Sequence, residues 1–496
     1  MRAFRSLFEE RMDLFAKKSL ADLKAESEHS PLRRALGPLH LTALGIGSII
    51  GTGIFVLTGT AAATNAGPAL ALSMIISATG CAFAALCYAE LAAMVPVAGS
   101  AYTYAYATVG ELVAWIIGWD LILEYALSIC TVAVGWSGYF VSLMHDLGVD
   151  IPLALMQPPG APTMGGGGGG VFNLPAAAIV FVVAALLVVG IRQSASANTV
   201  LVMIKSMVLI VFVVAGIAYV RRDNLTPFIP PNTGAFGHFG WSGVLRGAAV
   251  IFFAYIGFDA VSTAAQEARN PQKDMPIGIL SSLAICTVLY IAVAVVLTGI
   301  VHYSKLNVAD PLAVGIDATG MRWLGPVIKV SALFGMFSTM LVQMLGQTRI
   351  FYSMSRDGLL PRAFARVHAR FRTPHLSTML TATVCALVAG LTPINLLGQL
   401  VAIGTLLAFV LVCLGVLLLR RTAPDLARPF RTPAVPLVPL LGAGICLLQM
   451  AALPWATWER LLIWLVIGLT VYFAYSRARA ARTRAHPDLR PADAVT

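Results

Sequence analysis

The chain is 496 residues long, 58% hydrophobic and only 11% charged, with a formal net charge of +11. Soluble globular domains carry roughly 25% charged residues, so a single water-soluble core is excluded as the destination of this much apolar sequence. A bilayer is not excluded, since it takes roughly 20 apolar residues per helix.

The first 36 residues are polar and charged. The short apolar run from Phe4 to Phe8 is followed at once by Glu9, Glu10 and Arg11, unlike the apolar stretch of a cleavable signal peptide. Apolar runs then lie at 38–60, 67–94, 112–143, 174–192, 197–220, 242–265, 277–300, 324–350, 376–391, 394–419, 434–454 and 460–476. They predict twelve membrane-spanning helices, with both termini on one side. Basic residues indicate which side. The tail before the first span holds Arg2, Arg5, Arg11, Lys17, Lys18, Lys24, Arg33 and Arg34. The loop after span eight holds Arg356, Arg362, Arg366, Arg370 and Arg372, and the C-terminal tail holds Arg477, Arg479, Arg482, Arg484 and Arg490. The opposite face has little beyond Arg221, Arg222, Arg246, Lys305, Arg322 and Arg460. Both termini are expected to be cytoplasmic, and the net charge reads as membrane topology rather than as a nucleic-acid footprint.

Within the first span, Gly45-Ile46-Gly47-Ser48-Ile49-Ile50-Gly51-Thr52-Gly53 invites a break, since glycine is a weak helix former. A break in hydrocarbon bares backbone groups that protein, water or ligand must satisfy. The N–H groups around Gly51, Thr52 and Gly53 would head a second half-helix and suit a carboxylate. The carbonyls around Ile46 and Gly47 would suit an ammonium group. One break therefore suits both ends of a zwitterion. The competing reading is close helix packing, with Gly47, Gly51 and Ala62 letting neighbours approach.

Asp120 and Glu124 in the third span are four residues apart and share a helix face. They either meet a cationic side chain, anchor a polar network, or face one another over one proton. The run between the third and fourth spans, Gly165 to Gly170, lies beside Pro158, Pro159 and Pro162. It reads as a flexible outer loop, and no GK[ST] follows it as a phosphate loop requires. Lys205 sits in the fifth span, where a lysine is costly unless paired, solvated or neutral; otherwise its stem snorkels to one interface. The sixth span holds Phe252-Phe253-Ala254-Tyr255-Ile256-Gly257-Phe258-Asp259. Here Gly257 invites a second break, and Asp259 is either functional or a tie across the bend. Breaks in spans one and six point to two inverted repeats of five spans.

Met336, Met340 and Met344 recur at helical spacing and read as packing. The seven cysteines all fall in apolar stretches without a CxxC pair and read the same way. No HExxH occurs, and no serine–histidine–acid set falls inside the spans. No enzyme, metal site or cofactor is expected.

The segments GIGSIIGTGIF at 45–55, GPALALSMIISATGCAFAALCYAELAAMVPVAGSAYTYAY at 67–106, GELVAWIIGWDLILEYAL at 110–127, FFAYIGFDAVSTAAQEARNPQKDMPIGI at 252–279 and GQTRIFYSMSRDGLLP at 346–361 together resemble the amino acid–polyamine–organocation transporters, specifically the cationic amino acid transporter branch and its bacterial members. The resemblance implies an all-α polytopic LeuT-like fold in a bacterial inner membrane. The tail would be 1–36, a first repeat 37–220, a second 242–419, two further helices 434–476, and a C-terminal tail 477–496. It implies alternating access and amino acid transport. The substrate carboxylate would meet Gly51, Thr52 and Gly53. Its amino group would meet carbonyls of Ile46, Gly47, Phe253, Ala254 and Ile256, and Phe258 would line or close the side-chain pocket. Lys205 would stand where sodium-coupled relatives bind an ion, making the proton the coupling ion. Tyr102, Tyr104 and Tyr106 would lie near the cytoplasmic gate, or else form an interfacial belt. Glu267, near the cytoplasmic end of the sixth span, either forms a network with Arg349 and Arg356 or is an ordinary solvated or capping charge. Proton-coupled uptake of L-amino acids is the leading expectation. Exchange, including of cationic amino acids, is the alternative, and a non-transporting sensor a third. Membrane lipid is an expected partner; oligomeric state and a small single-helix partner are left open.

Overall fold

The computed structural model describes residues 14–18, 34–95, 100–159, 170–189, 195–321, 323–368, 371 and 373–485. Most of the N-terminal tail, glycines 165–169, Arg192, Arg322, Arg370, Arg372 and Arg490 lie outside the described residues. Among those described, eight helical stretches are long and apolar enough to cross a membrane, and four shorter helices are also apolar. The chain is an all-α polytopic membrane protein.

The helices used below are α1 (Pro38–Ile49), α2 (Leu70–Met94), α3 (Ser100–Thr108), α4 (Glu111–Asp146), α5 (Leu174–Val189), α6 (Ala195–Gly216), α7 (Gly240–Ile251), α8 (Pro271–Ile300), α9 (Pro311–Asp317), α10 (Leu324–Arg356), α11 (His375–Leu391), α12 (Ile394–Thr422), α13 (Leu437–Ala452), α14 (Trp455–Val471) and α15 (Arg477–Ala485). Helix α4 packs along α10, α8 packs against both α1 and α2, and α12 packs against α4 and α13.

Several ends depart from the apolar runs for local reasons. The first run does not stop at residue 60. After its break it continues through Ala66 and turns at Gly67, whose φ is +60°. A side chain there would also meet Pro230 Cγ at 2.6 Å, so glycine is required twice over. Helix α8 starts at Pro271 rather than 277, because proline suits the first helical turn and its polar first turn is invisible to hydropathy. The last run begins at Trp455 after Pro454. It continues through a π-helical turn, Tyr472–Ser476, into α15, since alanine and arginine both favour helix.

Buried ion pairs tie the ends of these helices. Glu90 of α2 is fully buried. It accepts from Arg420 Nε at 3.0 Å and Nη2 at 2.8 Å and from the Thr432 N–H at 2.7 Å, while Arg428 Nε stands 3.3 Å away. E90A would leave the buried Arg428 beside no acid, and breaking a buried pair from one side costs about 3–5 kcal/mol. We expect a marked fall in the melting temperature of the detergent-purified protein, with E90Q intermediate. An unchanged melting curve for E90A would show the latch to be energetically idle.

Glu111, also buried, accepts from Tyr106 Oη at 2.9 Å and Tyr472 Oη at 3.0 Å and pairs with Arg484, fastening α15 to the start of α4. The N-terminal stretch 14–18 docks beside it. Lys18 Nζ donates to Asp357 at 3.0 Å, Tyr102 Oη donates to the other oxygen of Asp357 at 2.8 Å, and the Glu111 N–H donates to the Ala16 carbonyl at 3.0 Å. Leu36 pairs with Ala268 just beyond the sixth run.

Candidate functional site

Both expected breaks are present and face each other. Helix α1 ends at Ile49, and Ile50 turns to extended backbone (φ −73°, ψ 94°). Helical structure resumes at Gly53 as a π turn. Helix α7 runs through a short 3₁₀ turn, Phe252–Tyr255, and is broken by extended Ile256 and by Gly257 at φ +124°. A second 3₁₀ stretch, Asp259–Glu267, follows. The halves interlock closely. A Cβ on Gly53 would lie 2.3 Å from Ala254 Cα, and one on Gly257 would lie 2.6 Å from Ser48 Oγ. At Gly53 and Gly257 the small residues therefore serve close approach where the helices break, and a Cβ on Gly51 would likewise lie 3.0 Å from Thr339 Oγ1.

The carbonyls bared at the end of α1 are shared among donors from three other helices. Lys205 Nζ of α6 donates to Gly47 O at 2.5 Å and to Ile50 O at 2.8 Å, with Ser338 Oγ at 3.3 Å. Thr339 Oγ1 of α10 lies 3.2 Å from each of the same two carbonyls. Tyr290 Oη of α8 donates to Ile49 O at 2.8 Å. Lys205 is 1% exposed; it does not snorkel but serves as an internal post. Of the carbonyls expected to face an ammonium group, Gly47 is engaged by Lys205 and Thr339, and Ile46 accepts the Ile50 N–H at 2.9 Å. Thr339, Ser338 and Tyr290 were not singled out from sequence. Their signal was a hydroxyl in an apolar run, masked at 336–344 by the methionine spacing.

Across the break, Gly51, Thr52 and Gly53 open the second half-helix, and Thr52 Oγ1 reaches Val132 O at 3.5 Å. Tyr139 Oη donates to Phe55 O at 2.8 Å. Phe253, Ala254 and Ile256 are 5%, 1% and 4% exposed, so the site is closed over in this conformation. Phe258 is fully buried and packs against Phe409 and the edge of Tyr88, ring centres 5.0 and 5.9 Å away. Met336, Met340 and Met344 are fully buried, as packing residues are.

The acids separate. Asp259 Oδ1 accepts the Gly257 N–H at 3.1 Å and Oδ2 accepts from Tyr125 Oη at 3.3 Å, so this side chain ties the bend. Asp120 and Glu124 are 1% and 2% exposed. Among the described residues, both Asp120 oxygens and Glu124 Oε2 have no hydrogen-bond partner. Of the three readings of this pair, a hydrogen-bonded network at Asp120 is not seen among the described residues; its carboxyl faces Gly404 of α12, where a Cβ would lie 2.9 Å from Oδ1. Glu267 pairs with Arg349 at 2.9 Å, while Arg356 lies over the Tyr352 ring at 5.7 Å. Tyr102, Tyr104 and Tyr106 are all buried, which rules out an interfacial belt. Among the described residues, no group of three His, Cys, Asp or Glu is placed to hold a metal ion.

Residues 36–472 match the amino acid permease family. The chain is 48% identical over 464 residues to the methylthioribose transporter of Bacillus subtilis (strain 168), covering 94% of this chain and 98% of that one. It is 47% identical over 466 residues to the branched-chain amino acid permease BcaP of the same organism, with the same coverage. It is 38% identical over 413 residues to the vacuolar cationic amino acid transporter 2 of Arabidopsis thaliana, covering 83% of this chain and 64% of that one.

Proposed function

The chain belongs to the amino acid permease family, a family of transporters rather than enzymes, and from that premise we propose proton-coupled uptake of L-amino acids by alternating access. The fold would be twelve spans in two inverted five-helix repeats, 37–220 and 242–419, with two helices added at 434–476 and both termini in the cytoplasm. The observation that carries the proposal is Lys205 bound to Gly47 O and Ile50 O at the first break. A protonated ammonium there supplies the positive charge that a bound metal cation would supply, and it braces α6 and α10 against α1. When its proton leaves, its strongest bonds weaken and the first break is free to rearrange. Substrate would enter between the halves, its carboxylate at Gly51, Thr52 and Gly53 and its amino group at carbonyls of Ile46, Gly47, Phe253, Ala254 and Ile256.

The surroundings of the break are apolar, with Phe253, Ile256 and Phe258 from one span and Ile46 and Ile50 from the other. These side chains, and the branched-chain substrate named for one close relative, support an amino acid with an aliphatic side chain. The name of another relative makes methylthioribose the informative competitor, since that sugar has neither carboxylate nor ammonium.

The test is uptake of labelled valine, alanine and arginine into sealed vesicles holding the purified protein, with and without an inward proton gradient. Valine accumulation in vesicles with no internal amino acid, driven by the gradient, is the expected result. Uptake that requires internal amino acid and ignores pH would replace symport with exchange. Binding without turnover would make the chain a sensor.

A further inference from the structure

The segment after α8, residues 303–321, lies across the second half of the first broken span. A Cβ on Gly59 would stand 2.3 Å from Leu306 O and 2.5 Å from Pro311 Cβ, and one on Gly138 of α4 would stand 2.7 Å from Ala309 Cβ. The segment is thus seated on the broken span and on α4 at once, like a lid. The rim of that seat is charged. Lys329, near the start of α10, pairs with Asp146 at the end of α4 at 2.5 Å and stands 3.8 Å from Asp310, which immediately precedes the lid helix α9 without a side-chain capping bond. Ser142 Oγ donates to Asp310 Oδ2 at 2.5 Å. Asp317, at the far end of α9, folds over Gly325 of α10, where a Cβ would lie 2.7 Å from its Oδ1. One ammonium therefore stands beside two carboxyl groups with a third, Asp317, within electrostatic reach, and the Lys329 and Asp310 side chains are only 6% and 14% exposed. Of the other nearby groups, His145 pairs with Asp150 and His302 with Ser304, Lys305 is exposed, and Tyr139 lies within electrostatic reach of Asp310 while its hydroxyl donates to the Phe55 carbonyl.

One lysine cannot balance three carboxylates, and the one pressed deepest into the seat has the least water to stabilise its charge. We propose that Asp310 is the proton-binding group of an acid-closed lid: it holds a proton while the lid is seated and gives it back as the lid lifts. This rests on the topology proposed above, which places the lid on the outer face. Burial holds the Asp310 carboxyl above its ordinary value, against the Ser142 hydrogen bond and Lys329 and with the help of Asp317. Asp317 is raised in the same way, by desolvation, against Lys329 and with the help of Asp146. A group raised in the seated state and ordinary in the lifted state favours the seated state in acid. That contribution fades as pH rises through the raised value. The outer solution would thus load a proton in the step that shuts the outer mouth, separately from Lys205.

The experiment uses the reconstituted full chain carrying Leu306→Cys, on the buried underside of the lid, or Asn307→Cys, exposed on its outer surface. Both are labelled with a membrane-impermeant maleimide from about pH 8 down to about pH 4.5, a range that brackets a raised aspartate. The ratio of the two rates cancels the pH dependence of thiol reactivity. It should fall several-fold in acid. It should stay flat and low with D310N, which is isosteric with the neutral acid. S142A removes a donor that favours the charged form, so it should move the midpoint to higher pH; D317N should move it to lower pH. A ratio indifferent to pH, or unaltered pH dependence in both D310N and S142A, overturns the proposal. Labelling of Asn307→Cys only from the face shared with the termini overturns the topology instead, so the two failures are distinguishable.

Discussion

Replacing Lys205 with alanine is expected to abolish the gradient-driven accumulation proposed above. The side chain, 1% exposed, makes two hydrogen bonds to bared carbonyls. Hydrogen bonds from a charged donor contribute about 1.5–3 kcal/mol each. Their joint loss corresponds to a fall in uptake on the order of 100-fold or more. Thr339 still bonds Gly47 O and Ile50 O, so the chain should fold, which a melting curve of the purified variant checks. K205R is the sharper probe. It keeps a permanent charge but carries a planar fork in place of a compact ammonium, and it cannot release its proton in the working range. The brace then survives while release is blocked, and uptake should fail although substrate still binds. Full gradient-driven uptake by K205R would remove proton release at this residue from the mechanism and leave Lys205 as a structural post.

Replacing Gly257 with alanine should have the next largest effect. The residue sits at φ +124°, and a methyl there would lie 2.6 Å from Ser48 Oγ and 2.8 Å from Ser48 C. The backbone penalty is about 1–3 kcal/mol, and forcing an extra methyl into packed surroundings adds about 1–3 kcal/mol. Because Ser48 is one residue from the end of α1, the strain falls on the junction of the two breaks. Substrate affinity, measured by ligand-dependent thermal shift, should weaken at least about tenfold. G148A is the control: Gly148 also has positive φ, at +77°, but nothing lies within 4 Å of its added Cβ. It should cost only the backbone term and leave affinity alone. Equal effects in the two variants would mean that the contact with Ser48 contributes nothing.

The breaks themselves were legible because their cause is local. Glycines at 45, 47, 51 and 53 and at 257 weaken a helix wherever they occur, and an acid two residues after Gly257 supplies the acceptor that the bend needs. Lys205 was legible as an anomaly, since a lysine in an apolar run demands a partner. Its partners were not. They lie 133 to 158 residues away in the chain, and helical spacing says which face a residue occupies but not what opposes it. The same holds for Glu90 with Arg420 and for Lys329 with Asp146 and Asp310, each pair made of ordinary helix-end charges until the helices meet. Asp120 went the other way. Its spacing from Glu124 left a cationic partner, a network and a shared proton all open, and it packs against Gly404 with no donor to its oxygens among the described residues.

The three carbonyls at the end of α1 have a kinetic consequence. Gly47, Ile49 and Ile50 are held by Lys205, Thr339 and Tyr290 from three separate helices. Helix α1 cannot swing while those bonds stand, and a carbonyl released into hydrocarbon has no acceptable state. Each must pass to water or substrate as it is freed, so wetting of the break has to accompany the swing. In the alternating access proposed above, the slow step is therefore expected to be a hydration event with a large activation enthalpy. Turnover should rise steeply on warming and slow when heavy water replaces light water, even where substrate affinity hardly changes.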